Sequence, residues 1–167
     1  MDFPEPTTPV ADRREVLLTY LDYYRSRVTA KLDGLSDEQV RGSVLPSGWS
    51  PLELLKHLVH VERRWLVWGF EGEDVGDPWA DHAWERWHVT SEDTLDALLE
   101  ELRAGGARTR AIVAAHDLGD VGQPGERWDG HPPATLERVL LHVMQEYARH
   151  LGHLDVVREM VDGVTGE

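Results

Sequence analysis

The sequence predicts an all-α protein, folded as a four-helix bundle in a single domain. In four separate stretches, apolar residues recur every three or four positions, which is the period of an amphipathic helix. No stretch alternates apolar and polar residues as a half-buried strand does, and no internal repeat of about 20–50 residues is visible. A chain of 167 residues is long enough to bury a sizeable core. We therefore expect a flexible tail over residues 1–9 and one bundle domain over residues 10–162.

The first long helix is predicted to begin at about Val10, and Gly34 is placed to end it. Its apolar positions are Val16, Leu17, Tyr20, Leu21, Tyr24, Val28 and Leu32. Beyond it, Ser36 and Gln39 form the Ser-x-x-Gln pattern of a capping box. This pattern predicts a short helical turn that ends near Gly42.

The second long helix has a strong start signal in the segment Ser50-Pro51-Leu52-Glu53. It offers an N-cap serine, a proline at the first helical position and a glutamate at the third. The helix should run to about residue 69, with His57 and His60 one turn apart inside it. Its apolar positions are Leu54, Leu55, Leu58, Val61, Trp65 and Leu66.

Two long connections separate the remaining helices. Residues 69–90 are rich in Gly, Asp, Trp and His, and loops of this length are often functional, although these tryptophans could equally cover the end of the core. Ser91 is predicted to cap the third helix, where Gly105-Gly106 permits a kink. After a second loop over residues 119–133, the last helix should run over about residues 134–161. The long first connection permits the second and third helices to run parallel.

Four polar side chains recur along the last helix at intervals of four, four and three. They are His142, Glu146, His150 and His153. These intervals place them on one helix face, where imidazole and carboxylate groups one turn apart can converge on a divalent metal ion. A solvated, histidine-rich face is the alternative, but flanking apolar residues leave little of this helix free to face water. We therefore interpret the stripe as part of a metal site that needs a ligand from another helix.

The second helix offers two candidates for that further ligand. His57 lies one residue from Leu58 and three from Leu54, so it should point into the bundle near the edge of the apolar face. His60 lies two residues from Leu58 and should sit further toward solvent. Spacing alone favours His57 only modestly.

Composition restricts the chemistry further. Asp and Glu number 31 against 17 Lys and Arg, a net charge of −14, which disfavours nucleic acid and anionic membranes as partners. The chain has no cysteine, so nitrogen and oxygen atoms must hold any metal. No apolar run reaches the roughly 20 residues of a membrane span, and the N-terminus lacks a signal-peptide pattern. We expect a cytoplasmic protein, and the single Ile and two Lys indicate a GC-rich bacterial genome.

Two segments resemble the signatures of the DinB-like superfamily of four-helix bundles. Residues 49–58 (WSPLELLKHL) are similar to its second-helix signature, and residues 146–155 (EYARHLGHLD) to its fourth-helix signature. The superfamily includes mycothiol-dependent maleylpyruvate isomerases and bacillithiol transferases, in which one second-helix histidine joins two fourth-helix ligands. Many members have His-x-x-x-His there, whereas Glu146-x-x-x-His150 resembles the isomerase-type variant. The resemblance implies His57, Glu146 and His150 as metal ligands.

With these three ligands, further residues are expected around the metal. His60, His142, His153 and Trp49 would lie next to the ligands or line the pocket, and His142 and His153 could equally be hydrogen-bonded structural residues. Two imidazoles and one carboxylate suit Zn²⁺ best, with Ni²⁺, Fe²⁺ or Mn²⁺ as alternatives. A low-molecular-weight thiol such as mycothiol is the implied co-substrate.

Our leading hypothesis is a metal-dependent thiol S-transferase, or a thiol-dependent isomerase, acting on a small electrophile. The sequence offers no cysteine nucleophile, Gly-rich phosphate loop or Gly-x-Ser-x-Gly element, so the metal would carry the chemistry. The alternative is a metal-containing binding or structural bundle, associated with stress and without turnover. A homodimer is expected from the family. Tyr20, Tyr23 and Tyr24 are weak candidates for its interface and could equally line the core.

Overall fold

Four long helices pack side by side in the computed structural model, which describes residues 1–7, 9–10 and 12–165. The α-helices are α1 (Arg13–Leu32), α2 (Asp37–Arg41), α3 (Pro51–Glu62), α4 (Leu95–Ala115) and α5 (Leu136–Asp162). Helix α3 continues as a π-helix over Arg63–Phe70, and Glu126–Trp128 forms a 3₁₀ turn. Two short strands, β1 (His82–Ala83) and β2 (Arg86–Trp87), form an antiparallel hairpin. The predicted all-α bundle of DinB type is confirmed.

Local capping explains where the helices begin. As predicted, Ser50 and Glu53 form a reciprocal capping box at α3, with Ser50 N donating to Glu53 Oε2 at 2.8 Å. The prediction that Ser91 caps the third long helix is wrong. Thr94 is the cap, and its hydroxyl accepts from the backbone N–H of Ala97 at 3.2 Å. Ser91 lies in the loop before α4, within a turn in which the Asp93 carboxylate accepts a bond from the backbone N–H of Thr90.

Contacts between helices define their directions. Arg13 pairs with Glu137 at 3.1 Å and Lys31 with Asp155 at 2.5 Å, so α1 and α5 run parallel. Lys56 in the middle of α3 pairs with Asp93 just before α4, and Glu62 at the end of α3 accepts a bond from Thr109 in the second half of α4. Helices α3 and α4 therefore also run parallel, as the long connection between them permits.

A buried polar network crosses the centre of the bundle. Glu62 accepts bonds from Arg25 Nε at 2.7 Å, Thr109 Oγ1 at 2.6 Å and Tyr147 Oη at 2.5 Å. Because these groups satisfy the buried carboxylate, the network links α1, α3, α4 and α5 without leaving that charge unpaired.

The two glycines of α4 have different surroundings. Helix α4 is helical through both Gly105 and Gly106. A Cβ on Gly106 would lie 3.1 Å from Cδ and Nε of Arg25, whereas a Cβ on Gly105 would have only Glu62 Oε2 within 4 Å, at 3.9 Å. The absent side chain of Gly106 therefore makes room for Arg25.

Apolar stripes of the four long helices meet in one core. Its fully buried members include Leu21, Leu54, Leu58, Leu66, Leu136, Leu140 and Val143. At the N-terminus, Phe3 packs edge-on against Tyr20 and Tyr23 and so covers part of the α1 surface. Among the described residues, no helix is long and apolar enough to cross a membrane.

The connection between α3 and α4 folds back over the bundle. Its hairpin turns at Trp84 and Glu85, which have φ values of 51° and 62°. Positive φ at both turn residues matches the right-handed twist of a two-residue hairpin but usually requires Gly or Asn. The strands have two residues each, too short for an alternating pattern to reveal them in the sequence. This turn directs Trp87 toward α3 and α5.

Candidate metal centre

Side chains from α3 and α5 converge at one point in the bundle. His57 comes from α3, and Glu146 and His150 lie one turn apart on α5. One ligand atom from each lies within 4.8 Å of the other two. Glu146 Oε2 lies 3.2 Å from Nε2 of His150 and 3.8 Å from Nε2 of His57. Each of the two imidazoles therefore directs its Nε2 atom at the same carboxylate oxygen, Oε2 of Glu146.

The environment of His150 favours the neutral ring that a metal ion requires. Its imidazole is buried, with 5% of the residue exposed. Burial, together with the neighbouring His57, lowers the pKa of His150 to about 4, although Glu146 partly opposes the shift. At neutral pH the ring is therefore uncharged and has a lone pair available for coordination.

Asp81 lies behind His57 on the side away from Glu146. This carboxylate has no exposed surface, and its Oδ2 lies 3.2 Å from Nδ1 of His57, while Arg64 donates to its Oδ1 at 2.5 Å. Burial acts to raise the pKa of Asp81, but the bonds from His57 and Arg64 hold it well below its ordinary value. A neutral His57 that donates from Nδ1 carries its lone pair on Nε2. Metal-binding histidines commonly have this kind of support.

The other two residues of the polar stripe on α5 also have polar neighbours. His153 Nδ1 lies 3.4 Å from Nδ1 of His150, and His142 Nε2 lies 3.6 Å from Oε1 of Glu146. Burial lowers the pKa of His142, so this ring also favours its neutral form. The full stripe of α5 therefore belongs to one connected polar cluster.

His60 occupies a different position from the one its spacing suggested. The prediction that it lies toward solvent is wrong, since only 4% of its surface is exposed. The connection after α3 covers this face, and Nδ1 of His60 lies 3.9 Å from Oδ1 of Asp81. Burial also lowers the pKa of His60. His60 thus adjoins Asp81, the carboxylate behind His57.

Aromatic rings form one wall of the site. Trp87 stacks on His57, with ring centroids 4.5 Å apart and an interplanar angle of 24°, and its edge approaches His150. The Trp49 ring lies 6.0 Å from Trp87 and 6.1 Å from His153. Trp49 is therefore placed next to the site, and Trp87 is a neighbour that helical spacing could not identify.

A second group of metal-ligating side chains shares His57 with the first. It comprises His57, Asp81 and His82, whose ligand atoms also lie within 4.8 Å of one another. The Arg64 guanidinium already neutralises Asp81 and would repel a cation there. Within the part of the chain that the structure describes, no Lys or Arg pairs with Glu146, so the group of His57, Glu146 and His150 is the better candidate.

Two cavities border the site. One, of about 250 Å³, has walls that include Trp49, His82 and Trp87. The other, of about 390 Å³, has walls that include Trp65, Arg127 and His142. A larger groove of about 610 Å³ lies between α1 and α4, and none of the three candidate ligands lines it.

Comparison with known proteins identifies relatives of this fold. A family model described as Mycothiol-S-transferase matches residues 16–163, which confirms the DinB-like resemblance. Among solved structures, the chain is similar to a conserved protein from Enterococcus faecalis at 20% identity and a TM-score of 0.63. The match covers 93% of this chain and 100% of that one, and at this identity it supports the fold alone. No curated protein matches the chain.

Proposed function

The chain belongs to the mycothiol-S-transferase family, and we propose that it is a metal-dependent thiol S-transferase. Its reaction would join a low-molecular-weight thiol such as mycothiol to a small electrophile. The observation that carries this proposal is the convergence of His57, Glu146 and His150, with one ligand atom from each within 4.8 Å of the others. A homodimer stays a prediction from the family resemblance, and a cytoplasmic location stays a prediction from the sequence pattern.

The donor set fits a divalent cation of borderline softness. Two imidazole nitrogens and one carboxylate oxygen are the ligands of many catalytic zinc sites, which keep a further position open for substrate. Ni²⁺, Fe²⁺ and Mn²⁺ also accept these donors, and Zn²⁺ is our first expectation. The Asp81 contact behind His57 supports the assignment because it leaves Nε2 free to bind.

The protein residues would position the reactants and limit the access of water. When bound, the cation would supply positive charge that lowers the pKa of the incoming thiol, so that a thiolate is available near neutral pH. Trp87 and Trp49 cover one side of the site and reduce its solvation. In the transfer, a sulfur–carbon bond forms. Either the leaving group departs with its bonding electron pair, or an activated alkene takes up the proton that the thiol lost.

A thiol-dependent isomerase is the second candidate function. The observation that favours it is the carboxylate of Glu146 at the position where many relatives have histidine. An isomerase would add the thiol to its substrate and later release it unchanged. Net consumption of thiol therefore separates transferase from isomerase.

The test begins with metal-loaded protein, mycothiol and a panel of electrophiles. We expect thiol consumption above the uncatalysed rate, and loss of this activity in His150→Ala with little change in melting temperature. His116, which follows α4 and lines neither cavity beside the site, supplies the matched control, His116→Ala, which should retain activity. Elemental analysis of untagged protein identifies the metal.

Two results would contradict the transferase proposal. One is the absence of thiol consumption by metal-loaded protein across a broad panel. The other is a collapse in the stability of His150→Ala with no activity to lose, which would favour the structural bundle. Isomerised product with thiol fully recovered would support the isomerase instead.

A further inference from the structure

Beside the candidate metal centre lies a cavity with aromatic and basic walls, which we call the Arg127 pocket. Its volume is about 390 Å³, and it is lined by residues that include Trp65, Arg127, Trp128, His131, Arg138 and His142. His142 lines this pocket and also adjoins the metal centre, because its Nε2 lies 3.6 Å from Oε1 of Glu146. Its ring also lies 4.3 Å from the ring of Trp65. A molecule in the pocket would therefore border the metal centre.

Arg127 is held in place by aromatic and backbone surfaces. Its guanidinium carbon lies 3.5 Å from the centroid of the Trp65 ring and 6.0 Å from that of Trp79. The side-chain stem crosses Gly69, where an added Cβ would lie 3.1 Å from Arg127 Cγ. A guanidinium over a tryptophan face is attracted by the ring quadrupole, so the planar group is oriented without a carboxylate.

The charge of Arg127 is only partly compensated. Its Nε is buried and has no hydrogen-bond acceptor among the described residues. Burial and nearby Arg64 both lower the pKa of Arg127, and no carboxylate of the described residues opposes them. Asp129 also lines the pocket, but it is exposed and forms no ion pair with Arg127 in the described part of the chain. A buried donor without an acceptor is uncommon in folded proteins, and it leaves this guanidinium without an anionic partner among the described residues.

We propose that the Arg127 pocket binds the carboxylate of the electrophile, so that the preferred substrates are small electrophilic acids. This inference rests on the proposed transferase function. A guanidinium presents parallel N–H groups that match a carboxylate in a bidentate arrangement. Arg138 and His131 are exposed at the pocket, where the positive charge of Arg138 would favour the entry of an anion.

A pair of electrophiles that differ in charge tests the pocket. In 3-acetylacrylate, the thiol sulfur would bond to one alkene carbon, while the π electron pair and the proton lost by the thiol go to the other. The methyl ester undergoes the same addition without the carboxylate. With metal-loaded protein and mycothiol, Arg127→Met should lower kcat/KM for the acid by about 10- to 100-fold, as expected for a lost charge-assisted bond. For the ester it should change kcat/KM by less than about twofold.

Two further variants separate binding from general effects of charge. Arg127→Lys keeps the charge without the planar fork and should restore only part of the activity on the acid. Arg103→Met removes an equally charged side chain that is exposed on α4, and it should leave both substrates unaffected. Equal losses on acid and ester in Arg127→Met would overturn the proposal.

Binding without turnover provides a test that does not depend on the transferase activity. Levulinate, the saturated analogue of 3-acetylacrylate, should bind the metal-free protein by titration calorimetry more tightly than methyl levulinate does. Arg127→Met should abolish this difference. If no thiol is consumed but levulinate binds through Arg127, the result supports carboxylate binding in the Arg127 pocket and contradicts the transferase proposal. Two results would overturn the proposed carboxylate binding in the Arg127 pocket. One is turnover that does not distinguish the acid from the ester, and the other is levulinate that binds no better than its ester.

Discussion

Nδ1 of His57 lies 3.2 Å from Oδ2 of Asp81, a carboxylate with no exposed surface. This contact connects the α3–α4 loop to the candidate metal centre on α3 and α5. It fixes the ring orientation of His57 and aims Nε2 at the carboxylate of Glu146. The loop therefore helps to build the site as well as to cover it.

We expect Asp81→Asn to weaken metal binding by about 10- to 100-fold, the usual effect of removing the partner behind a metal-binding histidine. The amide can still accept a bond from Nδ1 but carries no charge to support the ring. Competition with a chromogenic chelator measures the affinity. The matched control is Asp96→Asn, which changes an exposed aspartate in the first turn of α4 and should bind metal like the wild type. Equal affinities for Asp81→Asn and wild type would exclude this role of Asp81.

The buried network of Glu62 predicts a large loss of stability on removal of Arg25. Arg25→Met leaves the Glu62 carboxylate in the core with only the hydroxyls of Thr109 and Tyr147. We expect the free energy of unfolding to fall by about 3 kcal/mol, as measured by urea denaturation. In Arg103→Met, loss of an exposed ion pair should change stability little. Similar stability of the two variants would contradict a supporting role for the network.

Substitution by alanine at the two adjacent glycines of α4 should change the stability of the protein in opposite directions. Gly105→Ala adds a methyl group in ordinary contact distance and improves helix propensity, so it should stabilise the protein by about 0.5–1 kcal/mol. Gly106→Ala places the methyl group 3.1 Å from Arg25, which Glu62 holds in position, and should destabilise it by about 1–2 kcal/mol. Thermal unfolding of both variants, interpreted with calorimetric enthalpies, measures the difference. Stabilisation by Gly106→Ala would show that Arg25 moves freely.

The pKa of His150 predicts how the metal-free protein responds to acid. Folding lowers this pKa from 6.5 to about 4, so the folded state favours the neutral ring. The contribution to stability is complete above about pH 6.5 and is lost as the pH falls toward 4, where the unfolded chain binds the proton more readily. Urea denaturation at pH 7, 5.5 and 4.5 in the presence of chelator should show this decline.

In His150→Gln the same decline should be shallower, because the group that titrates is gone. Carboxylates common to both proteins provide the remaining pH dependence. The difference between the two curves of unfolding free energy against pH therefore gives the contribution of His150. Superimposable curves would contradict the assigned pKa shift.

Helical spacing predicted the parts of the candidate site that depend on local geometry. Glu146 and His150 face the same way because they are one turn apart on α5, whatever the rest of the chain does. The sequence could not identify Asp81, because its approach to His57 depends on how an irregular loop folds. The same loop explains the error for His60, since a helix that looks exposed in sequence is covered by a distant segment. The family resemblance, rather than spacing, separated His57 from His60.

Because α3 and α4 run parallel, the chain must return between them, and the candidate site therefore combines residues of the bundle helices with residues of this returning loop. The three candidate donors lie on bundle helices, whereas Trp87 and Asp81 come from the single excursion that returns the chain to the start of α4. In evolution, such an excursion could change in length and sequence while the bundle stays intact. Relatives that keep an acidic residue behind the α3 histidine could thus diversify in the compounds they accept without having to rebuild the centre.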